Sequence, residues 1–371
     1  MNKIKSIIIS LYVFALSFWR IFVRSKYKKP ICIIVFHTGK LGDMVCATPI
    51  FRAIKNKYNG CKVVVFGNSI NKEILKYNSN VDFYETVSDT MRENIKNINK
   101  YEADFAILLT PGFQSLCSLL RSNVKNISVP KIVNGFSPYE TKSYRFLSRL
   151  VNRVEHKMGN YAPLEYLKLL EIIDIKTRDT RKDIYYSIDA DNKIKDILKT
   201  INPHNKKMIG LSLSAGNKIK EWGIDKFVKL AQEIIKHHDL VIVLLGSKAD
   251  MIYSEAFLKM YRDGGSIIDL SGRLNIDELK AFMARLEMFI SVDTGPIYIG
   301  EALNIKTIDI VGPMDENEQP PRGPINKIVK SNRKCPQLHI MNSRVYDKVE
   351  ARRQLESITV NDVYKVFKTL M

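Results

Sequence analysis

From residue 31 onward, the hydrophobic positions of this chain concentrate in short, mostly apolar runs. Each run is followed by a longer stretch in which apolar residues recur every three or four positions. The strand-like runs cover 31–36, 62–67, 105–110 and 127–130, and a second series covers 208–214, 240–246, 266–270, 288–291 and 306–311. Helical spacing fills the intervals, among them 47–58, 71–77, 225–237, 248–261, 276–284 and 296–303. A strand buried on both faces reads as a continuous apolar run, and such strands alternating with helices build parallel sheets. A polar, charged stretch from about 177 to 207 separates the two series. At 371 residues the chain is long enough for two domains. The pattern predicts two doubly wound, Rossmann-like α/β domains, 30–185 and 200–345, facing one another across a cleft. A segment 1–29 precedes them, and a C-terminal helix, 346–371, returns to the first domain. Ligands then belong at the C-terminal ends of strands, near the points where strand order reverses.

Residues 288–313, MFISVDTGPIYIGEALNIKTIDIVGP, show this most sharply. An apolar strand ends in Asp293-Thr294-Gly295-Pro296, a short helix follows, and a second strand ends in Gly312-Pro313. Proline suits the first turn of a helix, where its missing N–H costs nothing. The free amides of that turn, with the helix dipole, attract anions. Asp293 and Thr294 beside them supply a carboxylate and a hydroxyl, a set suited to a sugar and a phosphate together.

Three other strand ends carry related chemistry. The first reads FHTGKLGDMVCATPIFRAIK, where Gly39 and Gly42 permit a tight turn ahead of Asp43. It lacks the GxGxxG spacing of dinucleotide sites, and the second strand ends in Gly67-Asn68 without an acid for a ribose, which disfavours a nicotinamide enzyme. By spacing, Asp43 is either a helix-capping carboxylate or a catalytic one. The second, LSLSAGNKIKEW, offers the small residues Ser214, Ala215 and Gly216 for close backbone approach, with Lys218 and Lys220 to neutralise an anion. By itself it also fits a solvated basic loop. Two anion-ready loops on one sheet edge point to a diphosphate. In the third, LLGSKAD, Asp250 is either a first-turn helix acid or an acceptor for a ribose or base.

Charge adds partners to this picture. The formal net charge is +19, and seven positive residues fall before residue 30 with no acid before Asp43. Residues 7–19 carry no charge and are mostly apolar; Lys3 and Lys5 precede them, and Arg20, Arg24, Lys26, Lys28 and Lys29 follow. No small-residue cleavage site follows, which disfavours a signal peptide. The run is short for a spanning helix unless Arg20 snorkels, so three readings stay open: an in-plane interfacial helix, a spanning anchor and a helix of the folded domain. In either membrane reading the basic cluster after Trp19 favours a cytoplasmic position for the following domain. A further basic run, Arg121, Lys125, Lys131, Lys142, Arg145, Arg149, Arg153 and Lys157, is balanced only by Glu140 and Glu155. It is read as a solvated face or as the contact for an anionic lipid-linked acceptor. The five scattered cysteines form no CxxC or Cys/His cluster, so neither a zinc site nor a disulfide framework is indicated. A reducing cytoplasm fits best. No zinc-finger, RNP-like or helix-turn-helix signature accompanies the charge, so no nucleic-acid partner is expected. Asp189-Ala190-Asp191 is the one DxD, and it reads as a helix start.

Taken together, these segments resemble glycosyltransferase family 9, the bacterial lipopolysaccharide heptosyltransferases, over roughly 30–325. GKLGDMVCATPIFRAIK, SAGNKIKEW, LLGSKAD, DLSGRLNIDELKAFMARLEMFISVDTGP and DIVGP occur in the family's order. The resemblance implies a GT-B fold and an inverting transfer that uses neither metal nor cofactor. It implies a nucleotide-sugar donor, ADP-heptose by default, and a lipopolysaccharide core acceptor at the cytoplasmic face of the inner membrane. It carries the general base to Asp43, the phosphate-contacting lysine to Lys220 and the nucleotide-contacting acid to Asp250. The donor-contacting DTG falls on Asp293, Thr294 and Gly295. The chain departs from the family pattern at Tyr298, where DTGxxH has histidine, and at Met314, where threonine follows the late Gly-Pro. Two alternatives remain: a degenerate, membrane-attached binding protein, which Tyr298 favours, and a nucleotide-sugar epimerase on the same fold.

Overall fold

The computed structural model describes residues 3–18, 29–262 and 266–371. Of the N-terminal segment, Trp19 and the basic residues Arg20, Arg24, Lys26 and Lys28 lie outside the described residues.

The chain divides into two units, the first comprising 1–181 with 340–345 and the second 182–339 with 346–371. The first holds strands β1 (Cys32–Phe36), β2 (Lys62–Gly67), β3 (Phe83–Thr86), β4 (Phe105–Leu108), β5 (Asn126–Val133) and β6 (Asn152–Lys157). Its helices are α1 (Lys3–Ser17), α2 (Leu41–Lys57), α3 (Ser69–Leu75), α4 (Met91–Asn99), α5 (Phe113–Arg121), α6 (Lys142–Leu147) and α7 (Ala162–Lys168). The second unit opens with helix α8 (Ile188–Ile201). Its strands are β7 (Lys207–Ser212), β8 (Leu240–Leu244), β9 (Ile267–Asp269), β10 (Met288–Val292), β11 (Lys306–Val311) and β12 (Asn326–Lys330). The helices α9 (Ile224–His237), α10 (Met251–Met260), α11 (Ile276–Met283), α12 (Gly295–Ala302), α13 (Lys348–Glu356) and α14 (Val360–Leu370) complete it.

Each unit is built on one six-stranded sheet, ordered β3-β2-β1-β4-β5-β6 in the first and β12-β11-β10-β7-β8-β9 in the second. Every pairing is parallel. Numbered within their own unit, the strands of both sheets run 3-2-1-4-5-6, the doubly wound dinucleotide-fold order. Strand order reverses between β1 and β4 in one unit and between β7 and β10 in the other, so the predicted ligand edges lie there.

The central strands are apolar and buried along their whole length, and each core collects around them. In the first unit Phe36 and Phe66, partners in the β1–β2 register, stack with ring centroids 5.2 Å apart. Helix α2 runs through Pro49, which has no N–H for the carbonyl of Val45; the Thr48 hydroxyl donates to that oxygen instead, at 2.7 Å.

Two features differ from the pattern-based expectation. Strands β3, β6 and β12 lie at sheet edges and interleave polar with apolar residues, so no continuous apolar run announced them. The C-terminal segment forms two helices, not one, and packs on the second unit rather than the first. Leu355, Ile358, Val363 and Phe367 put an apolar face into the core beside β11, β12 and α9, which holds the segment there.

Candidate functional site

In the first unit, β1 passes through His37 and the Gly39 turn into α2. A Cβ on Gly39 would lie 2.7 Å from Asp43 Cβ and 2.8 Å from His37 Cε1, so only glycine lets the turn close over these side chains. Asn68 Nδ2 and Asn71 Nδ2 both donate to the Gly39 carbonyl, at 2.8 and 2.9 Å. Asp43 occupies the third position of α2, and its Oδ2 accepts the Lys40 amide at 2.7 Å. The capping reading therefore accounts for one of its oxygens. His37, not singled out in the sequence, lies fully buried beside Asp43, and neither ring nitrogen has a hydrogen-bond partner. Burial lowers its pKa below the ordinary imidazole value, against the pull of the Asp43 charge, so the ring is neutral.

The second unit repeats the device. Gly246 closes over Asp250, whose Oδ2 accepts the Ser247 amide at 2.8 Å and the Ser247 hydroxyl at 2.6 Å. Ser214, at the end of the neighbouring strand, donates to Asp250 Oδ1 at 2.5 Å. Burial opposes the charged form of Asp250, but these donors and the charge of Lys218 outweigh it and hold the carboxyl below its ordinary value. Two residues singled out in the sequence, Ser214 and Asp250, thus meet in one cluster. Gly216 lies in the bend between β7 and Lys220.

The strand-order reversal of this sheet carries the remaining residues. Leaving β7, the chain brings Lys220 back to the end of β10, where Nζ lies 2.9 Å from Asp293 Oδ2 and also meets the Asp293 carbonyl. The loop is anchored from behind, because Trp222 is buried and its Nε1 donates to the Ile358 carbonyl at 2.9 Å. The Tyr298 hydroxyl reaches the other Asp293 oxygen, Oδ1, from within α12. Lys182, with its side chain buried, pairs with Glu301 and holds its Nζ 5.9 Å from the centre of the Tyr298 ring. Thr294 is the N-cap of α12 but makes no side-chain cap, and Gly295 with Pro296 opens the helix. Lys220, Asp293, Thr294, Gly295 and Tyr298 are therefore assembled at one strand end. Met314 is buried, its carbonyl held by Arg333, which also grips Gly312.

Asp309 carried no spacing signal. It sits on β11 opposite Ser291 of β10, fully buried, with neither carboxylate oxygen hydrogen-bonded. Burial drives its pKa well above the ordinary carboxylate value and the nearby Asp293 charge adds to this, with Lys220 opposing, so the site favours the protonated form.

Among the described residues one group has the side-chain types and spacing of a metal site, Asp315, Glu318 and His339, with ligand atoms within 4.8 Å of one another. His339 Nδ1 lies 3.4 Å from Asp315 Oδ2 and 3.2 Å from Glu318 Oε1. The bonds to Asp315 and Glu318 raise its pKa to about 9 against the effect of burial, so at neutral pH a proton already bridges the two carboxylates. A metal would have to displace it. Of the DxD, Asp191 is engaged by Arg285 and Lys195 in the first turn of α8, which Ser187 caps.

The sequence model of glycosyltransferase family 9 (heptosyltransferase) matches residues 91–345. Lipooligosaccharide heptosyltransferase 2 of Campylobacter jejuni is 24% identical over 275 residues, covering 74% of this chain and 79% of that protein. Lipopolysaccharide heptosyltransferase 1 of Campylobacter coli is 22% identical, covering 91% and 98%. Among solved structures, a family 9 glycosyl transferase from Veillonella parvula superposes with a TM-score of 0.74 at 15% identity, covering 93% of this chain and 98% of that one. The ADP-heptose lps heptosyltransferase II of E. coli gives 0.72 at 16% identity, covering 91% and 98%. With two parallel α/β sheets of one strand order and this match over most of its length, the chain belongs to glycosyltransferase family 9 and has the GT-B fold.

Proposed function

We propose that the chain transfers heptose from ADP-heptose onto an anionic, lipid-linked glycan of the lipopolysaccharide or lipooligosaccharide core, at the cytoplasmic face of the inner membrane. The observation that carries this reading is the Lys220–Asp293–Tyr298 cluster where β7 and β10 end. The names of the relatives support the sugar and the acceptor, and a structural neighbour, the E. coli heptosyltransferase WaaC, was solved with ADP-2-deoxy-2-fluoro heptose.

The chemistry follows from the residues. Lys220 is held at the strand end by Asp293 and exchanges that carboxylate for the donor diphosphate when the donor binds. The uncapped first turn of α12 at Thr294 and Gly295 presents amides to the same charge. Cation and amides together stabilise the leaving diphosphate, the term an inverting displacement needs most, without a metal. Ser214 and Asp250, with Gly216 in the adjoining bend, form the nucleoside end of the site. Asp43 takes the proton of the acceptor hydroxyl as it attacks the anomeric carbon from the face opposite the nucleotide. Tyr298 cannot carry the charge of a histidine, but it occupies Asp293 Oδ1 and leaves Oδ2 for Lys220. A phenol with that defined partner argues for a working site over a degenerate one.

The test is a thermal-shift panel of nucleotides and nucleotide sugars on the full chain beside Lys220→Ala. Stabilisation by ADP and ADP-heptose, lost in the variant, supports the reading. Stabilisation by a uridine or guanosine nucleotide sugar alone would replace the donor.

A further inference from the structure

Helix α1 is oriented against the usual rule for a surface helix. Its serines face the protein: Ser6 Oγ bonds Ser143 Oγ at 2.8 Å, Ser17 Oγ donates to the Leu120 carbonyl at 3.1 Å, and Ser10 is buried, donating to the Ser6 carbonyl. Val13 and Phe14 complete the inward stripe, the Phe14 ring 4.8 Å from that of Phe146. The outward stripe is the more apolar one. Ile7, Ile8, Leu11 and Tyr12 are 56%, 62%, 58% and 60% exposed. A helix that meets water turns its polar positions outward and its apolar stripe to the core. Here the Ser6 and Ser17 hydroxyls are spent on α6 and α5, and large hydrocarbon side chains are left outside.

We infer that the outward face of α1 lies in the interfacial layer of an anionic bilayer, with the helix axis in the membrane plane. This deepens the reading of a lipid-linked acceptor and rests on it for the choice of membrane. Three observations carry this: the first selects lipid as the occupant, and the other two set the helix in the membrane plane. The first is charge. Tyr12 carries Arg121 over its ring at 5.8 Å, and Lys142, Arg145 and Arg149 are exposed on and just after α6, against which α1 packs. Lys5 is exposed near the start of the helix. Exposed hydrophobic side chains with cations on the same helix and on the elements it packs against are what an anionic headgroup layer receives. The second is length: fifteen residues of helix span about 22 Å, short of the ~30 Å hydrocarbon core. Among the described residues no helix is long and apolar enough to cross a membrane. The third is packing, since a helix with one face fixed to α5 and α6 offers only its other face to lipid.

The experiment is flotation of the full chain with phosphatidylcholine vesicles, with and without phosphatidylglycerol, beside the double variant Ile8→Glu/Leu11→Glu. Both substituted side chains are exposed, so the thermal midpoint of the variant stays that of the parent. The parent is expected to float with the anionic vesicles, less so as salt rises, and the double variant to bind them about tenfold more weakly or less. A parent that stays in solution with both vesicle types would overturn the inference, as would a double variant that floats equally well. A concentration-dependent dimer abolished by the same two substitutions would give the face to a second copy instead. Transfer to a deacylated, water-soluble acceptor is read separately; loss of that activity bears on the proposed chemistry and not on the helix.

Discussion

At the scale of single residues, the second unit places charge where a diphosphate would need it and withholds charge next door. Lys220 is the cation of the proposed donor site, and its contacts with Asp293 hold it at the strand end. Lys220→Ala removes a charge-assisted hydrogen bond worth roughly 1.5–3 kcal/mol, so donor affinity by calorimetry is expected to fall about ten- to a hundredfold. Asp309 makes the opposite case. Its folded pKa lies well above the unfolded value near 4, so the folded state holds a proton the unfolded chain has released. Stability is therefore present below about pH 4 and is lost as pH rises through the folded pKa. Asp309→Leu is expected to flatten that dependence in urea titrations at acid and neutral pH. It should gain roughly 1–3 kcal/mol at neutral pH, the cost of an unsatisfied buried polar group. The sequence showed the DTG, SAG and GD residues because each stands at a strand end beside glycine. It hid Asp309 and His37, which lie in or against apolar strands and are distinguished only by what fails to meet their polar atoms. It also hid the Lys182–Glu301 pair, whose members stand 119 positions apart.

At the scale of elements, the loop bearing Lys220 depends on helices far along the chain. Trp222 Nε1 and Lys226 Nζ both donate to the Ile358 carbonyl between α13 and α14, and α13 packs against the turn at 218–220. Phe367 of α14, fully buried in the same core, anchors that assembly. Phe367→Ala is expected to cost about 3–5 kcal/mol of stability and, at temperatures where the fold survives, to weaken donor binding without touching the site. A donor affinity unchanged in a destabilised variant would show that the helices hold the core alone. The central strands and long helices were legible because their apolar periods are unambiguous. The edge strands were not, since an edge is half solvated and its pattern mixes. The two faces of α1 were illegible for the opposite reason: Lys3–Ser17 is apolar almost all round, and only its packing partners reveal which side is which.

At the scale of the whole molecule, one topology appears twice, and in both copies a glycine turn closes over an aspartate at the start of a helical segment. The family and the GT-B fold could be read from five ordered segments, because each marks a strand end and strand ends are where this fold keeps its chemistry. The central claim is that Asp43, in the first of those turns, is the base for sugar transfer. Asparagine at 43 keeps an oxygen to accept the Lys40 amide, so the turn and the fold should persist while the base is lost. The most direct measurement is transfer of heptose from ADP-heptose to a heptose-lacking core acceptor by the full chain, followed by mass spectrometry, for the parent and Asp43→Asn. Transfer by the parent, reduced by about a hundredfold to ten-thousandfold in the variant with donor affinity and thermal midpoint unchanged, is the expected result. Transfer at the parental rate by Asp43→Asn would contradict the account.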